Sequence, residues 1–154
     1  MDRCALVCRY HQQGRSCAQS VAGAFADRTG LPPELLFAAG AFGGGVGGSH
    51  QELCGAVSGA LLVLGALFPH TQGEDLEAKR TIYRLAKEFR RRFSEVFGLT
   101  RCGELLRARP GLSEKTAAAR RMGLTAHCDI MVVTAVEILE ALLAECEEQQ
   151  ERGR

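Results

Sequence analysis

The stretch from Gly40 to Phe68 constrains this chain most, because it joins a glycine-dense loop directly to a run of apolar residues. Glycine at positions 43, 44, 45, 47 and 48 frees the loop to take left-handed backbone and to approach its neighbours closely. Beyond Ser49 the residues are apolar on every side, which marks a buried helix, the central element of the fold. Ser49 and Glu52 have the spacing of a capping box, so the helix is predicted to open at Ser49 and to carry Cys54 in its first turns. A thiol there faces the positive end of the helix dipole, an environment expected to favour thiolate. Gly55 and Gly59, one turn apart, leave room for a second helix or a bound group beside Cys54.

The flanking segments repeat the helical period. Ser16 is an N-cap for a helix with Ala18, Val21, Ala22 and Phe25 on one face, Cys17 at its first position and Thr29-Gly30 at its stop. Pro32-Pro33 start the next helix, which carries Leu35, Leu36, Ala39 and Phe42 into the glycine loop. From Asp75 to Phe97 runs the clearest amphipathic pattern, with Ile82, Leu85, Ala86, Phe89, Phe93, Val96 and Phe97 on one stripe. Thr100 is predicted to cap a short helix through Leu106, setting Cys102 in its first turn before Pro110 breaks the pattern. Ser113 to Met122 is predicted as another short helix ending at Gly123. The last helix starts near Thr125, places Cys128 in its first turn beside His127, and carries Val132, Val136, Leu139, Leu143 and Cys146 on one face. Residues 144–154 are expected to fray as an acidic, solvated tail. No segment alternates like a strand, so the expectation is an all-α single domain over 1–154, a compact bundle of five to seven helices.

Composition removes several function classes. The net charge is +1, so bulk electrostatics give no footing for nucleic acid or a membrane surface. Arg90-Arg91-Arg92 is expected to form a solvated face, since Phe89 and Phe93 flank it as core positions. The longest apolar run, Ala60 to Phe68, falls short of the ~20 residues that span a bilayer. The glycine loop lacks the preceding strand and the Gly-Lys-Ser/Thr of a phosphate-binding loop. No carboxylate pair is fixed near His50 or His127, and nothing marks a serine nucleophile, so no hydrolase or transferase site is expected. His50 is expected as a surface cap residue.

The chain has seven cysteines, an odd number, in a helical sequence without a signal peptide, which argues for free thiols in a reducing cytoplasm over a disulfide framework. Cys4, Cys8 and His11 share a helical spacing, but packing is the expected role of both thiols, as it is for Cys146. Cys17, Cys54, Cys102 and Cys128 differ, because all four fall in the first turns of predicted helices. If the fold gathers those turns, four soft ligands converge on an iron–sulfur cluster or zinc, or two pairs cycle between dithiol and disulfide. In a third reading the cysteines only fill space in a helical docking module. No Cys-x-x-Cys pair is present to mark a local metal site.

The order of motifs narrows these alternatives. Gly14-Arg15-Ser16-Cys17-Ala18-Gln19-Ser20-Val21, then Phe42-Gly43-Gly44-Gly45-Val46-Gly47, then Cys54-Gly55-Ala56-Val57-Ser58-Gly59-Ala60-Leu61 resembles the C-GCAxxG-C-C family of redox-active proteins. Phe97-Gly98, Cys102-Gly103-Glu104-Leu105-Leu106, and Cys128 opening a terminal helix with Glu137-Ile138-Leu139 extend the resemblance from about Cys8 to Ala144. It implies a prokaryotic helical protein that binds an iron–sulfur or similar redox group through Cys17, Cys54, Cys102 and Cys128. It also implies electron transfer or redox sensing, with an oxidoreductase or transporter component as partner. A homodimer is a further expectation. The chain departs from the family pattern at Arg15, where an aromatic is common, in the extra residues from Pro110 to Gly123, and in Cys4, Cys8 and Cys146.

Overall fold

The computed structural model describes residues 1–109 and 116–154. Among these the chain is helical throughout, without a strand, as its pattern predicts. Five helices of two turns or more build the bundle: α1 (Arg3–Gln12), α2 (Cys17–Ala24), α5 (Gly55–Leu67), α6 (Leu76–Phe97) and α9 (His127–Arg152). Four short ones connect them: α3 (Ala26–Thr29), α4 (Pro33–Ala38), α7 (Cys102–Arg107) and α8 (Ala117–Met122), with a 3-10 turn at Ala39–Phe42. The break expected at Pro110 and the helix start expected at Ser113 lie outside the described residues.

Local chemistry sets most of these boundaries. Ser16 and Gln19 form a reciprocal capping box, the Ser16 hydroxyl accepting from the Gln19 N–H at 3.1 Å and the Gln19 side chain from the Ser16 N–H at 3.0 Å. Such a cap is worth about 1 kcal/mol. Asp2, Asp75 and Thr116 cap α1, α6 and α8 in the same sense, each accepting a backbone N–H three residues on. Gly98 and Gly123 end α6 and α8 with left-handed backbone. The helix expected from Ser16 to Thr29 breaks at Phe25, which ends α2 and begins α3.

Two boundaries differ from expectation. The Ser49–Glu52 capping box does not form: α5 starts at Gly55, and Cys54 is its N-cap residue. The Ser49 hydroxyl instead donates to the Gly45 carbonyl at 2.7 Å, closing the glycine loop on itself. Nor does α9 fray after residue 143. It continues to Arg152, with Glu145 paired to Arg92 of α6 and Glu147 to Arg28 of α3.

α5 is the buried centre of the assembly, with Ala56, Val57, Ala60, Val63 and Leu64 fully enclosed. α6 contributes Leu85 and a ladder of Phe89, Phe93 and Phe97, whose successive ring centroids stand 6.3 and 5.0 Å apart. Arg91 and Arg92 form the solvated face expected of the basic cluster, pairing with Glu88, Glu95 and Glu145. Cys4 and Cys8 are buried on α1 in the core, where free thiols behave as small hydrophobes. Among the described residues no helix is long and apolar enough to cross a membrane.

The closest crossing is that of α2 on α5. A Cβ at Gly59 would stand 2.6 Å from the Ala18 carbonyl oxygen and 3.0 Å from Val21 Cβ. A methyl cannot be placed there without parting the two backbones. Gly59→Ala is therefore expected to destabilise the fold by about 1–3 kcal/mol in urea titrations, the usual penalty for overpacking. Gly65→Ala on the same helix meets nothing within 4 Å and should instead stabilise by about 0.5–1 kcal/mol through helix propensity.

Candidate functional site

The α2–α5 crossing fixes the first pair of cysteines. Cys17 opens α2 and Cys54 caps α5, and a Cβ added to Gly55 would overlap the Cys17 sulfur. Gly55 thus leaves the space that Cys17 Sγ fills, with the Phe42 carbonyl and the Ala18 N–H at its edges. Two short extended segments add the third cysteine. Leu53 and Arg101 form a single antiparallel bridge, the Cys54 N–H donates to the Thr100 carbonyl at 2.8 Å, and the Cys102 N–H to the Glu52 carbonyl at 2.9 Å. Gly103 continues the pairing by donating to the His50 carbonyl at 2.7 Å. This zipper sets the starts of α5 and α7 side by side. Thr100 serves it through its carbonyl; the residue preceding α7 is Arg101, and no side chain caps that helix.

The glycine loop lies against the same helix starts. Gly43 packs on Ser16, just before Cys17, at a distance that would leave a Cβ 2.6 Å from Ser16 Cβ. Gly45, with φ of 69°, packs on Cys102 so that a Cβ would stand 2.5 Å from Cys102 Cβ. The loop is a spacer that approaches Ser16, the neighbour of Cys17, and Cys102 closely, which any side chain at these two positions would prevent. His50, expected as a cap, is an exposed loop residue with φ of 63°.

Cys128 comes from the start of α9. That end of the helix is held by Asp129, a buried carboxylate that receives His11 Nδ1 of α1 at 2.8 Å and Gln12 Nε2 at 3.5 Å. His11 therefore serves Asp129, not a ligand face with Cys4 and Cys8. Beside Cys128, His127 is buried, its Nδ1 without a hydrogen-bond partner among the described residues, and burial, reinforced by Arg109, holds its pKa below the ordinary value.

Electrostatics tie the four sulfurs together. Burial pushes the Cys54 thiol up to about 12, and charge on Cys17 and Cys102 pushes it the same way. Burial also raises Cys102, again with Cys17 adding to the shift. Cys128 is pushed up to about 11 by burial, then by Cys17, Cys102 and Asp129, with Arg109 opposing. Each of the other three thus feels Cys17. Cys17 and Cys102 each act on both Cys54 and Cys128, although the four come from separate helix starts. Cys54 is enclosed and the other three are half-buried, so the set opens outward from Cys54. Cys146 is remote from them, in a groove between α6 and α9.

Sequence alone predicts thiolates here, and at Cys54, Cys102 and Cys128 that expectation is corrected. The helix start does act in the predicted direction, since the Ala56 and Val57 N–H groups lower the Cys54 pKa, but desolvation outweighs them. Among the described residues no group of three or more His, Cys, Asp or Glu side chains is gathered as a shell for a metal ion. A tetrahedral ion with ~2.3 Å metal–sulfur bonds would draw sulfurs to within about 4 Å of one another. A cluster is less demanding, because its cysteines bind different iron atoms and stand wider apart. The donor set, four thiols and no hard oxygen ligand among them, fits iron–sulfur chemistry.

The family described as "Putative redox-active protein (C_GCAxxG_C_C)" matches residues 15–142. The chain belongs to this family. The match takes in Cys17, Cys54, Cys102 and Cys128 and leaves Cys4, Cys8 and Cys146 outside. No curated protein and no solved structure matches the chain.

Two outcomes follow from this geometry. Gly55→Ala should displace the Cys17 sulfur, so that the rate at which a small alkylating agent modifies Cys17 in the metal-free protein changes while helix content is kept; an unchanged rate would remove Gly55 from the site. The second concerns pH. Cys4 and Cys54 are pushed up to about 12 and Cys8 and Cys128 to about 11, from an ordinary 9.0. With folded-state values above unfolded ones, their contribution is full below about pH 9 and is lost as pH rises toward 11–12. The urea midpoint of the metal-free, reduced chain should fall between about pH 8 and pH 10.5. Cys54→Ala should fall less steeply than the parent.

Proposed function

We propose that this chain is a redox-active protein in which Cys17, Cys54, Cys102 and Cys128 hold an iron–sulfur cluster, for electron transfer or redox sensing. The observation that carries the reading is that a cysteine stands at the start of each of α2, α5, α7 and α9, with Cys17 seated against Gly55 next to Cys54 and the start of α7 tied to that of α5 by the Leu53–Arg101 bridge. When bound, such a cluster supplies one-electron transfer at a potential tuned by burial and by hydrogen bonds to its sulfurs. The chain's own part is to bring four ligands together and to restrict water. Cys54 anchors the enclosed side, Cys17 and Cys102 are spaced by Gly43, Gly45 and Gly55, and Cys128 is oriented through Asp129 and His11. Coordinated thiols are deprotonated by the metal, which would offset the repulsion and desolvation that oppose ionisation of the empty set.

Metal-free dithiol–disulfide exchange is the competing reading. It needs an accessible thiolate near neutral pH, and burial moves Cys54 and Cys128 the other way. The same displacement weighs against a catalytic thiol at either position. A reducing compartment such as the cytoplasm would keep the seven thiols free, and a redox partner, as an oxidoreductase or transporter component, would receive the electron.

Purification without oxygen, followed by iron, sulfide and zinc analysis and a visible spectrum, tests the proposal. Expected are a coloured protein with iron and sulfide, and at least the roughly 10-fold loss of metal affinity seen for outer-shell changes when Cys17, Cys54, Cys102 or Cys128 is replaced by Ser. Cys146→Ala and Cys8→Ala should keep the metal. Zinc in place of iron would make the site structural. A colourless, metal-free protein that refuses reconstitution and cycles two thiols into a disulfide would establish the exchange reading instead.

A further inference from the structure

The face formed by α4 and the adjoining side of α5 is unusually apolar. From Leu31 to Gly48 and through α5 the chain carries one charged residue, Glu34. α4 stands on this face as a ridge with none of its residues buried, exposing Leu35 by 55% and Phe37 by 65%. Beside it runs a groove of about 370 Å³ with Leu35 and Leu36 on one wall, Leu61 and Leu62 on the other, and Phe42 at the end. Phe42 and Leu62 are themselves 42% and 38% exposed. The hollow between Phe42, Leu53 and Leu62 extends the groove along α5.

We infer that this face is the interface of a homodimer, the α4 ridge of each copy seated in the α4–α5 groove of the other. Three features select a second copy as the occupant. First, a two-fold interface needs one face to supply both halves of each contact, and here a ridge and a groove lie side by side. Second, the area agrees. At about 200 Å² for a large side chain, Leu35, Phe37, Phe42 and Leu62 together expose roughly 400 Å² of apolar surface. A standard interface buries about 800 Å² per partner, somewhat over half of it apolar. Third, the groove is lined by uncharged residues alone among those described, so what enters it must bring no charge that would be buried unpaired, and Leu35 and Phe37 of an identical ridge meet that condition. The inference does not depend on what the cysteines bind.

Sedimentation velocity on the full chain, purified without oxygen, reads the outcome directly. The parent should be a dimer at micromolar concentration. Leu35→Glu on the ridge and Leu62→Glu on the groove wall should each raise the dimer dissociation constant at least about 30-fold, the effect of losing an interface hot spot. Tyr83→Glu, at a similarly exposed position on α6, should leave it unchanged, and circular dichroism should show all three folded. A parent that is monomeric throughout overturns the inference. So does a dimer that survives both α4 and α5 substitutions.

Discussion

The contact between the backbones of α2 and α5 at Gly59 is the constraint on which the cysteine site depends. A residue with a side chain there would part the helices, and Cys17 would leave the space that Gly55 opens for it. The two glycines act at different levels. Gly59 sets how closely the helices cross, and Gly55 converts that approach into a position for one sulfur. The cost is low helix propensity at two positions of a central helix, which the burial of Val57, Val63 and Leu64 on the same helix offsets. Packing and site geometry are thus one arrangement, and substitutions that loosen the core at this crossing also move a candidate ligand.

A second constraint is electrostatic. Cys54, Cys102 and Cys128, drawn from water and each in the field of Cys17, resist ionisation, and the backbone N–H groups at the start of α5 are too few to reverse this at Cys54. The arrangement is tolerable when all four are protonated, or when a group of opposite charge neutralises four thiolates at once. It is poorly suited to a single exposed thiolate. That asymmetry supports the cluster we propose over free thiol chemistry.

Local signals carry the fold further than they carry the site. The stripe on α6 and the Ser16–Gln19 capping box are legible because every partner lies within a few residues. Ser49–Glu52 has the same spacing as Ser16–Gln19, yet its hydroxyl has a better acceptor in the Gly45 carbonyl, which the glycine loop brings back to it. A spacing rule does not register that competitor. The placement of Cys128 is equally hidden, since it rests on α1 meeting α9 through His11 and Asp129, residues more than a hundred positions apart. That a cysteine opens each of four helices is visible along the chain; the burial that raises the pKa of Cys54, Cys102 and Cys128 is a property of the packed state alone.

Phe42 connects the cysteines at the starts of α2 and α5 with the apolar groove. Its carbonyl borders the space between Gly55 and Cys17, while its ring lines the apolar groove along α5. The next residue, Gly43, is the one packed on Ser16 at the start of α2. A dimer that covers the groove would therefore hold the 3-10 turn at Ala39–Phe42 and, through it, the spacing of the glycine loop against Cys17 and Cys102. Assembly would make the ligand set more rigid without touching a sulfur, because a short turn with one side chain in an interface and its carbonyl at the site has little freedom to move at one end alone.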